Sequence, residues 1–440
     1  MTLKVCLALP VFYPTFGGGP LRFLRYQPGL REREIEARVL AGTPRSKDDG
    51  HLDEDPGWAS YPIGAMLPVE DVDGTPVHRV RLPPRTSVQR TSTYFRALIE
   101  LCSDPATRPD VIQLHSFERL ESLYWIWRLR RLAIPIVYAI QIARPVRHES
   151  AIMRVLKRLM IRVFYDRFDR IVTSSETIRD YLVELGVTSP IAVIPNGVDL
   201  DYYRPGDEET RTRTRAALGI RGPGPVILSV GAVSPRKGSD LLIEAFAALL
   251  EREPDAELVF VGPRHDRNSE GLGGFEARLR TGIASCPDPD RIHFTGVRDD
   301  LPALYAAADL VVLPTSREGG TPNVVLEAMA CQRPVLITRF EGQSQAIGRP
   351  ELEFAVAART SDALARAMTG ILADRTRRED LVRHGRAWVE AHLGLSSTLD
   401  RFADFYHQSA VRTLEPERVH AVGLEPTTPK PISATSVESS

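Results

Sequence analysis

Residues suited to holding a diphosphate lie where the apolar run Leu310–Leu313 gives way to a helical segment. The intervening sequence at residues 314–330, PTSREGGTPNVVLEAMA, contains a glycine pair, a good N-cap in Thr321, and Pro322 at the first helical position, where its missing N–H costs nothing. The free N–H groups and the dipole at such a helix start suit a diphosphate. A capped helix after a glycine loop is also common without a ligand, so both interpretations stay open.

Several residues of this motif could contact such a ligand. The free N–H groups at the helix start would belong to Asn323 and Val324, and the Glu327 carboxylate could accept hydrogen bonds from a ribose diol. The binding candidates of the motif are Gly319, Gly320, Thr321, Asn323, Val324 and Glu327.

A second strand-to-helix junction supplies cations. The sequence at residues 230–246, VGAVSPRKGSDLLIEAF, places Arg236 and Lys237 in the short loop between a strand and a helix. Adjacent cations there would complement a second face of the same diphosphate. The alternative is a solvated basic turn. The chain has only five lysines, and this scarcity favours the binding interpretation.

The segments around these motifs alternate between short apolar runs and helical stretches. In the first half of the chain the predicted strands are Leu3–Phe12, Glu36–Gly42, Val77–Leu82, Asp110–His115, Ile134–Gln141, Arg170–Ser174 and Ala192–Pro195. The predicted helices there are Arg22–Glu34, Thr91–Cys102, Arg119–Leu132, Ala151–Phe168 and Glu176–Leu185. Strands that are apolar on both faces and separated by helices indicate a doubly wound parallel sheet.

The pattern restarts after the polar segment Tyr202–Gly224, interpreted as an interdomain connection with one short helix. The predicted strands that follow are Val226–Gly231, Glu257–Gly262, Arg291–Thr295, Asp309–Pro314, Pro334–Thr338 and Glu353–Ala357. The predicted helices are Leu241–Glu251, Leu301–Ala308, Val324–Cys331, Ser361–Ala373 and Arg378–His392. Ligands bind beyond the carboxyl ends of such strands, so two facing sheets would form a deep cleft.

Two segments fall outside this pattern. Thr43–Thr75 has clustered Asp, Gly and Pro and is predicted to be a long loop, whereas Glu415–Ser440 is poor in apolar residues and is predicted to be a disordered tail.

Composition narrows the functional classes. Hydrophobic residues make up 43% and charged residues 26% of the chain, as in a soluble globular protein, and the net charge of −1 favours neither nucleic acid nor an anionic membrane as a partner. The four scattered cysteines predict neither zinc nor disulfides and indicate the reducing cytosol. The Asp-x-Asp patterns, which start at Asp53, Asp71 and Asp199, lie in loops, so we predict surface charge and no metal site.

One helix leaves a membrane hypothesis open. Ala151–Phe168 carries basic residues, among them Arg154, Arg158 and Arg162, beside apolar residues at helical spacing. Such a helix can lie on the surface of an anionic membrane, and in this protein that surface would be the cytoplasmic face. The alternative is a core helix with a solvated polar face.

The two motifs together resemble the retaining glycosyltransferases of the GT-B fold, family 4. Further matches are FYPTFGGGP at residues 12–20, PDVIQLHSF at 109–117 and RIVTSSETIRDYLVELGVTSPIAVIPNGVD at 170–199. The resemblance covers residues 3–410 in colinear order. It implies an α/β chain with two Rossmann-like domains facing a cleft: an acceptor domain at 1–200, a donor domain at 201–395, and a C-terminal helix near 396–411 that packs back on the first domain.

The resemblance also implies roles for individual residues. Glu327 would hold the ribose of a nucleotide diphosphate-sugar, Glu318 would lie near the donor sugar hydroxyls, and Lys237 would contact the diphosphate. His115 would reach the donor sugar. In a further match, Gly18 and Gly19 would form a glycine loop that lets the backbone approach the donor phosphate and the acceptor.

Three departures from the family pattern bear on these roles. Eight residues separate Glu318 from Glu327, where the family usually has seven, and a bulge at the extra glycine would restore the geometry. Ala232 occupies the position of a frequent arginine, so Arg236 is expected to supply that charge. Gln141 and Gln113 stand where histidines are frequent.

The implied reaction is transfer with retention, without a metal or other cofactor, and with the donor phosphate accepting the acceptor's proton. Arg236, Lys237 and the helix start would stabilise the departing diphosphate. The acceptor could be a glycan, a lipid-linked molecule or a small molecule. The alternatives are a catalytically silent nucleotide-sugar-binding protein and another GT-B enzyme, such as a sugar phosphorylase or an epimerase.

Overall fold

The computed structural model describes residues 2–13, 18–43, 56–83, 86–140, 151–220, 222–264 and 273–411. The predicted tail at 415–440 and part of the predicted loop at 43–75 lie outside these ranges. The described helices include none that is both long and apolar enough to cross a bilayer.

The first half of the chain forms an eight-stranded sheet. Its strands are β1 (Leu3–Leu9), β2 (Ile35–Gly42), β3 (Glu70–Val72), β4 (Thr75–Val80), β5 (Val111–His115), β6 (Ile136–Ile140), β7 (Arg170–Thr173) and β8 (Ile191–Val193). Their order is β3-β4-β2-β1-β5-β6-β7-β8, and every pair is parallel except β3 with β4. Apart from Lys4, the central strand β1 is apolar and buried, as expected for a sheet covered on both faces.

Helices cover both faces of this sheet. They are α1 (Gly18–Glu32), α2 (Pro56–Ala59), α3 (Ser87–Ser103), α4 (Leu120–Arg130), α5 (Ala151–Tyr165) and α6 (Glu176–Glu184). Leu98 of α3, Ile126 of α4 and Phe164 of α5 share one core cluster with Ile112 of β5. Phe23 of α1 belongs to the core of the opposite face.

The second half of the chain forms a six-stranded parallel sheet after a connection that carries α7 (Glu208–Ala217). Its strand order is β11-β10-β9-β12-β14-β16. The strands are β9 (Val226–Val230), β10 (Glu257–Val261), β11 (Ile292–Phe294), β12 (Leu310–Leu313), β14 (Val335–Thr338) and β16 (Ala355–Ala357). A separate two-stranded unit consists of β13 (Arg317–Gly320) and β15 (Glu341–Gln343).

The remaining helices complete both halves. They are α8 (Ser239–Leu250), α9 (Gly273–Ala284), α10 (Leu301–Ala307), α11 (Asn323–Ala330), α12 (Ser361–Ala373), α13 (Arg375–His392) and α14 (Leu395–Ala410). After α13 the chain returns to the first half, where Leu399, Phe402 and Tyr406 of α14 join the core that contains Phe23. A backbone hydrogen bond of 2.9 Å from Leu395 to Val198 marks the crossing.

Most predicted elements are present with ends shifted by a few residues, and five differences are larger. Helix α9 and the unit of β13 and β15 were not predicted. The predicted loop at 43–75 contains α2 and β3. Strand β3 forms because Glu70–Val72 pairs antiparallel with β4. Helices α1 and α3 each begin four residues before their predicted starts, at Gly18 rather than Arg22 and at Ser87 rather than Thr91.

Candidate functional site

Three predicted site residues meet at one carboxylate oxygen. Lys237 Nζ and Arg236 Nη1 each lie 2.7 Å from Glu318 Oε1, and Thr315 Oγ1 donates to the same oxygen at 2.9 Å. Burial is the largest influence on the pKa of Glu318 and raises it, but Lys237 and Arg236 outweigh it and hold the pKa below its ordinary value. Glu318 is therefore an anion whose Oε1 is occupied by three donors.

The position of Lys237 depends on the loop that follows β9. Gly231 has φ +136°, and a Cβ there would lie 3.1 Å from Lys237 Cε, so glycine leaves room for the lysine chain. Burial lowers the pKa of Lys237 from its ordinary value, and Glu318 offsets part of that effect. Arg236, expected to replace the charge missing at Ala232, does reach this cluster.

The extra residue between the two glutamates lies in β13. This strand pairs in parallel with β15, and the register shifts between Arg317 and Gly320, where a bulge was predicted. Gly320 has φ +72°, and a Cβ there would lie 2.5 Å from the backbone oxygen of Ser174 in the first half of the chain. Glycine at this position therefore permits a close contact between the two halves.

Hydroxyl groups near the start of α6 hold the unit of β13 and β15. Each donates to a backbone oxygen of that unit: Ser174 to Gly319 at 2.9 Å, Ser175 to Gly342 at 3.1 Å and Thr177 to Gln343 at 2.9 Å. These contacts fix the loop that carries Glu318 against the first sheet.

The start of α11 differs from its predicted form. Pro322 precedes the helix, which begins at Asn323, and no side chain caps it. The predicted cap Thr321 is fully buried, and its Oγ1 accepts a hydrogen bond of 2.8 Å from the backbone N–H of Asn196. The prediction was wrong because it considered only local capping, whereas Thr321 bonds across the domain boundary. Asn323 Oδ1 is buried and has no partner in the described structure.

Glu327, one turn further along α11, is buried and bonded on both oxygens. Oε1 accepts from Arg25 Nη1 at 2.9 Å and Oε2 from the Tyr305 hydroxyl at 2.8 Å. Burial raises the pKa of Tyr305 well above its ordinary value, so its hydroxyl remains a donor. Arg25 lies on α1, so this pair joins the two halves. Neither Arg25 nor Tyr305 carried a signal in the sequence.

His115 lies apart from these two carboxylates. It is buried at the end of β5, and its Nε2 is 2.8 Å from Gln113 Nε2, while Gln113 Oε1 accepts from the Tyr406 hydroxyl at 3.0 Å. Burial, with a smaller contribution from Arg22, lowers the pKa of His115 to about 3, so the ring is neutral near pH 7. Among the described contacts, none joins His115 to Glu318 or Glu327.

Gly18 and Gly19 were predicted to form a loop, but they are the first residues of α1. This prediction was wrong because the helix extends to the glycines. The residues just before them, 14–17, lie outside the described residues. The glycines therefore lie at a helix start, where free N–H groups are available.

A cavity of about 320 Å³ lies between the two halves. Its wall includes Arg22 and Arg25 of α1, Tyr203 of the connection, and Asn323 and Glu327 of α11. The cavity therefore adjoins the start of α11, at the carboxyl ends of the strands of the second sheet. In the described residues, no group of three or more His, Cys, Asp or Glu side chains could hold a metal ion.

Two family models match the chain. The model described as "Glycosyl transferases group 1" matches residues 210–388, and the model described as "Glycosyl transferase 4-like domain" matches residues 17–197. The chain belongs to the group 1 glycosyltransferases. The two matched ranges meet near the interdomain connection of this glycosyltransferase chain.

Curated relatives of this glycosyltransferase align with part of it. A GDP-mannose-dependent alpha-(1-6)-phosphatidylinositol monomannoside mannosyltransferase of Mycobacterium tuberculosis is 29% identical over 262 residues, which cover 58% of this chain and 65% of that relative. A D-inositol 3-phosphate glycosyltransferase of Corynebacterium glutamicum is 29% identical over 310 residues, which cover 64% of this chain and 72% of that protein. The alignment thus spans just under two thirds of the first relative's length.

Solved structures share the fold. Anabaena HepE in complex with UDP superposes with a TM-score of 0.68 at 18% identity, covering 92% of this chain and 100% of that one. Sucrose-phosphate synthase of Thermosynechococcus elongatus gives a TM-score of 0.69 at 19% identity, covering 92% and 98%. These likenesses confirm the predicted GT-B architecture of two Rossmann-like sheets.

Proposed function

We propose that this protein transfers a sugar from a nucleotide diphosphate-sugar to an acceptor, with retention of configuration at the anomeric carbon. The observation that carries the proposal is the arrangement around the start of α11. Along the chain, the N–H groups of this helix start lie between two carboxylates: the buried one of Glu327, and that of Glu318, which is paired with Lys237 and Arg236. A nucleotide diphosphate-sugar has its ribose diol, diphosphate and sugar in the matching order, with the diol at Glu327, the diphosphate at the N–H groups and the sugar near Glu318.

Each part of the donor has a matching group. The ribose diol would donate to Glu327, whose other neighbour Tyr305 keeps the carboxylate in place. The diphosphate would lie against the N–H groups of Asn323 and Val324 and near Lys237. No metal or other cofactor is needed in this proposal, because the cations and the helix start neutralise the leaving group.

Retention is proposed from the resemblance to the retaining family, and the way Glu318 is held favours front-face attack over double displacement as its route. A double-displacement reaction needs a carboxylate free to attack the anomeric carbon. Glu318 Oε1 is engaged by two cations and a hydroxyl, which makes it a poor nucleophile. We therefore propose front-face attack. The bond between the anomeric carbon and the phosphate oxygen breaks, the acceptor oxygen bonds to that carbon, and the acceptor's proton moves to the departing diphosphate.

The acceptor is proposed to bind to the first half of the chain, because the residues assigned to the donor lie mostly on the second. The names of two relatives indicate inositol-based acceptors, one lipid-linked and one an inositol phosphate. These two acceptor classes are therefore the first to test, each with GDP-mannose and UDP-glucose as donors.

A membrane contact is a second proposal, favoured by the surface of α5. Val155, Leu156 and Leu159 are exposed by 67%, 47% and 56%, and Arg158 is exposed beside them. A core helix with a solvated polar face would not expose these apolar side chains. An apolar and basic helix of this kind binds anionic bilayers, and we propose that α5 does so.

Vesicle sedimentation tests the membrane contact. The protein should sediment with anionic vesicles at low salt and be released at high salt, because the Debye length shortens. Leu156→Ser should weaken this binding, whereas Val183→Ser, an exposed apolar position on α6, should not. Absence of sedimentation at low salt would contradict the membrane proposal and leave the transferase proposal intact.

The transferase proposal is tested by thermal shifts with a panel of nucleotide-sugars, followed by an assay of slow donor hydrolysis without acceptor. A ligand that binds the native state raises the melting temperature by mass action. A donor that stabilises the protein and is slowly hydrolysed supports the transferase. Stabilisation without any turnover, with or without acceptors, would indicate the silent binding protein, and absence of stabilisation by every donor would contradict the proposal.

A further inference from the structure

A buried arginine in the wall of the interdomain cavity has no acidic partner among the described residues. Arg22 is only 6% exposed. Its Nη1 donates to Asn196 Oδ1 at 2.6 Å, while its Nε is buried and has no hydrogen-bond partner in the described structure. Burial lowers the pKa of Arg22 from its ordinary value. A charge held out of water without a counter-ion is costly to keep.

The carboxylates that line the same cavity are already bonded to other groups. Both oxygens of Glu327 are occupied, as described above. Asp199 Oδ1 accepts two backbone N–H groups of the turn that follows it, each at 3.0 Å. Neither carboxylate forms an ion pair with Arg22, so among the residues of the cavity wall this guanidinium has no direct counter-ion.

The aromatic surroundings of Arg22 orient the guanidinium without neutralising it. Its Cζ lies 4.9 Å from the Phe23 ring centroid and 5.8 Å from that of Tyr26. These rings and Asn196 restrict the side chain, so less conformational entropy is lost when a ligand binds to it. An orientated guanidinium with free donors is suited to the planar, two-point binding of a phosphoryl group.

We propose that Arg22 binds a phosphoryl group of one of the two substrates in this cavity. This inference rests on the transferase proposal, because it supplies the substrate. The phosphoryl group belongs either to the donor diphosphate or to a phosphate on the acceptor, and both sources present the same chemistry to Arg22.

A structural role and a binding role of Arg22 predict opposite effects on the unliganded protein. If Arg22 served the fold, Arg22→Met should lower the melting temperature. If it serves a ligand, removal of an uncompensated buried charge should leave the melting temperature unchanged or raise it by about 1–4 °C. Arg31→Met is the matched control, since Arg31 lies on the same helix, is exposed and bonds to the backbone oxygen of Gly74.

The experiment measures melting temperature against inorganic phosphate, pyrophosphate, GDP and UDP for the natural protein and both variants. We expect phosphate or pyrophosphate to stabilise the natural protein and Arg31→Met, and to bind Arg22→Met at least about tenfold more weakly. Repeating the phosphate titration with a saturating nucleoside diphosphate separates the sources. If phosphate still raises the melting temperature under these conditions, Arg22 binds the acceptor phosphate. If phosphate no longer raises it, Arg22 binds the donor diphosphate.

Three results would overturn the inference: a lower melting temperature of unliganded Arg22→Met, no shift with phosphate or pyrophosphate in the natural protein, or equal shifts in Arg22→Met and the natural protein. In each case nucleotide-sugars can still stabilise the natural protein, so the transferase proposal survives. Failure of the transferase proposal looks different, because then either no nucleotide-sugar stabilises any of the three proteins or a donor that stabilises the natural protein is not turned over.

Discussion

The two glutamates of the candidate site are held in different ways. Glu318 bonds to Lys237, Arg236 and Thr315, all from the second half of the chain. Glu327 bonds to Tyr305 of the second half but also to Arg25 of the first. One cluster is complete within a single sheet and its loops, whereas the other requires the two halves to meet.

This difference separates the parts of the site that are preformed from those that depend on the cleft. The ion pairs of Glu318 lie within one half of the chain, although the loop that carries Glu318 also bonds to Ser174 of the other half. The pair of Arg25 and Glu327 breaks if the sheets move apart, and a ribose diol at Glu327 would compete with Arg25 for Oε1. We therefore expect donor binding and closure of the cleft to be coupled at Glu327.

The largest expected effect is on the preformed cluster. Lys237→Ala should lower kcat by about 10²–10³-fold, because the cation acts most strongly as charge develops on the leaving diphosphate. Steady-state kinetics with the preferred donor measures it. Arg236→Ala is the companion variant and should have a smaller effect, since Arg236 is 38% exposed against 14% for Lys237. A raised KM with unchanged kcat in Lys237→Ala would contradict the leaving-group role.

The contact between the halves can be broken at Gly320. Gly320→Ala introduces a Cβ 2.5 Å from the Ser174 backbone oxygen at a positive φ, and should destabilise the protein by about 2–3 kcal/mol. Urea unfolding measures the loss. Gly370→Ala on α12 is the matched control, because its Cβ would meet nothing within 4 Å, and it should be neutral or stabilising. Equal stability of the two variants would show that the close contact does not constrain the fold.

The cleft-dependent carboxylate is tested by Glu327→Ala. Donor binding should weaken by about 1–3 kcal/mol, because the variant leaves a ribose diol unpaired in a buried site. The helix should persist, since alanine is a good helix former. Calorimetry with the preferred nucleotide-sugar is the measurement, and circular dichroism checks the fold. Unchanged affinity in a folded variant would remove Glu327 from the donor site.

The smallest expected effect concerns His115 beside Arg22. The pKa of His115 is lowered in the folded state to about 3, so the unfolded chain binds more protons below pH 6.5 and stability falls as the pH drops. Between pH 6.5 and 5.5 the loss from this group should be about 1 kcal/mol.

His115→Gln should flatten that part of the stability profile. Burial also lowers the pKa of His78, which acts in the same direction, so His78→Gln is the comparison. A profile unchanged by His115→Gln would mean that His115 is not buried as a neutral ring.

The sequence specified the local parts of this protein well. Apolar runs such as Leu310–Leu313 mark strands because a sheet covered on both faces needs side chains that are apolar on both sides. The motifs around Glu318 and Lys237 were visible because each is a short continuous segment at the end of a strand. The extra glycine between the two glutamates indicated a bulge, and the register of β13 shifts in that segment, although β13 itself was not predicted.

Other features were missed because their cause is not local. Thr321 looks like a helix cap in the sequence, but its hydroxyl bonds to the backbone of Asn196 in the other half of the chain. Helix α9 has a weak apolar pattern, and β13 with β15 is too short to give one.

What the sequence determined by itself was the alternation of strands and helices, and therefore the two doubly wound sheets and the segments that carry the motifs. What only the tertiary structure decided was which side chains meet across the cleft. Arg25 and Glu327 are 302 positions apart, and nothing in their neighbouring residues indicates a partner. Such pairs form because two independently patterned sheets face each other, so their contacts follow from the relative placement of the sheets rather than from any local pattern.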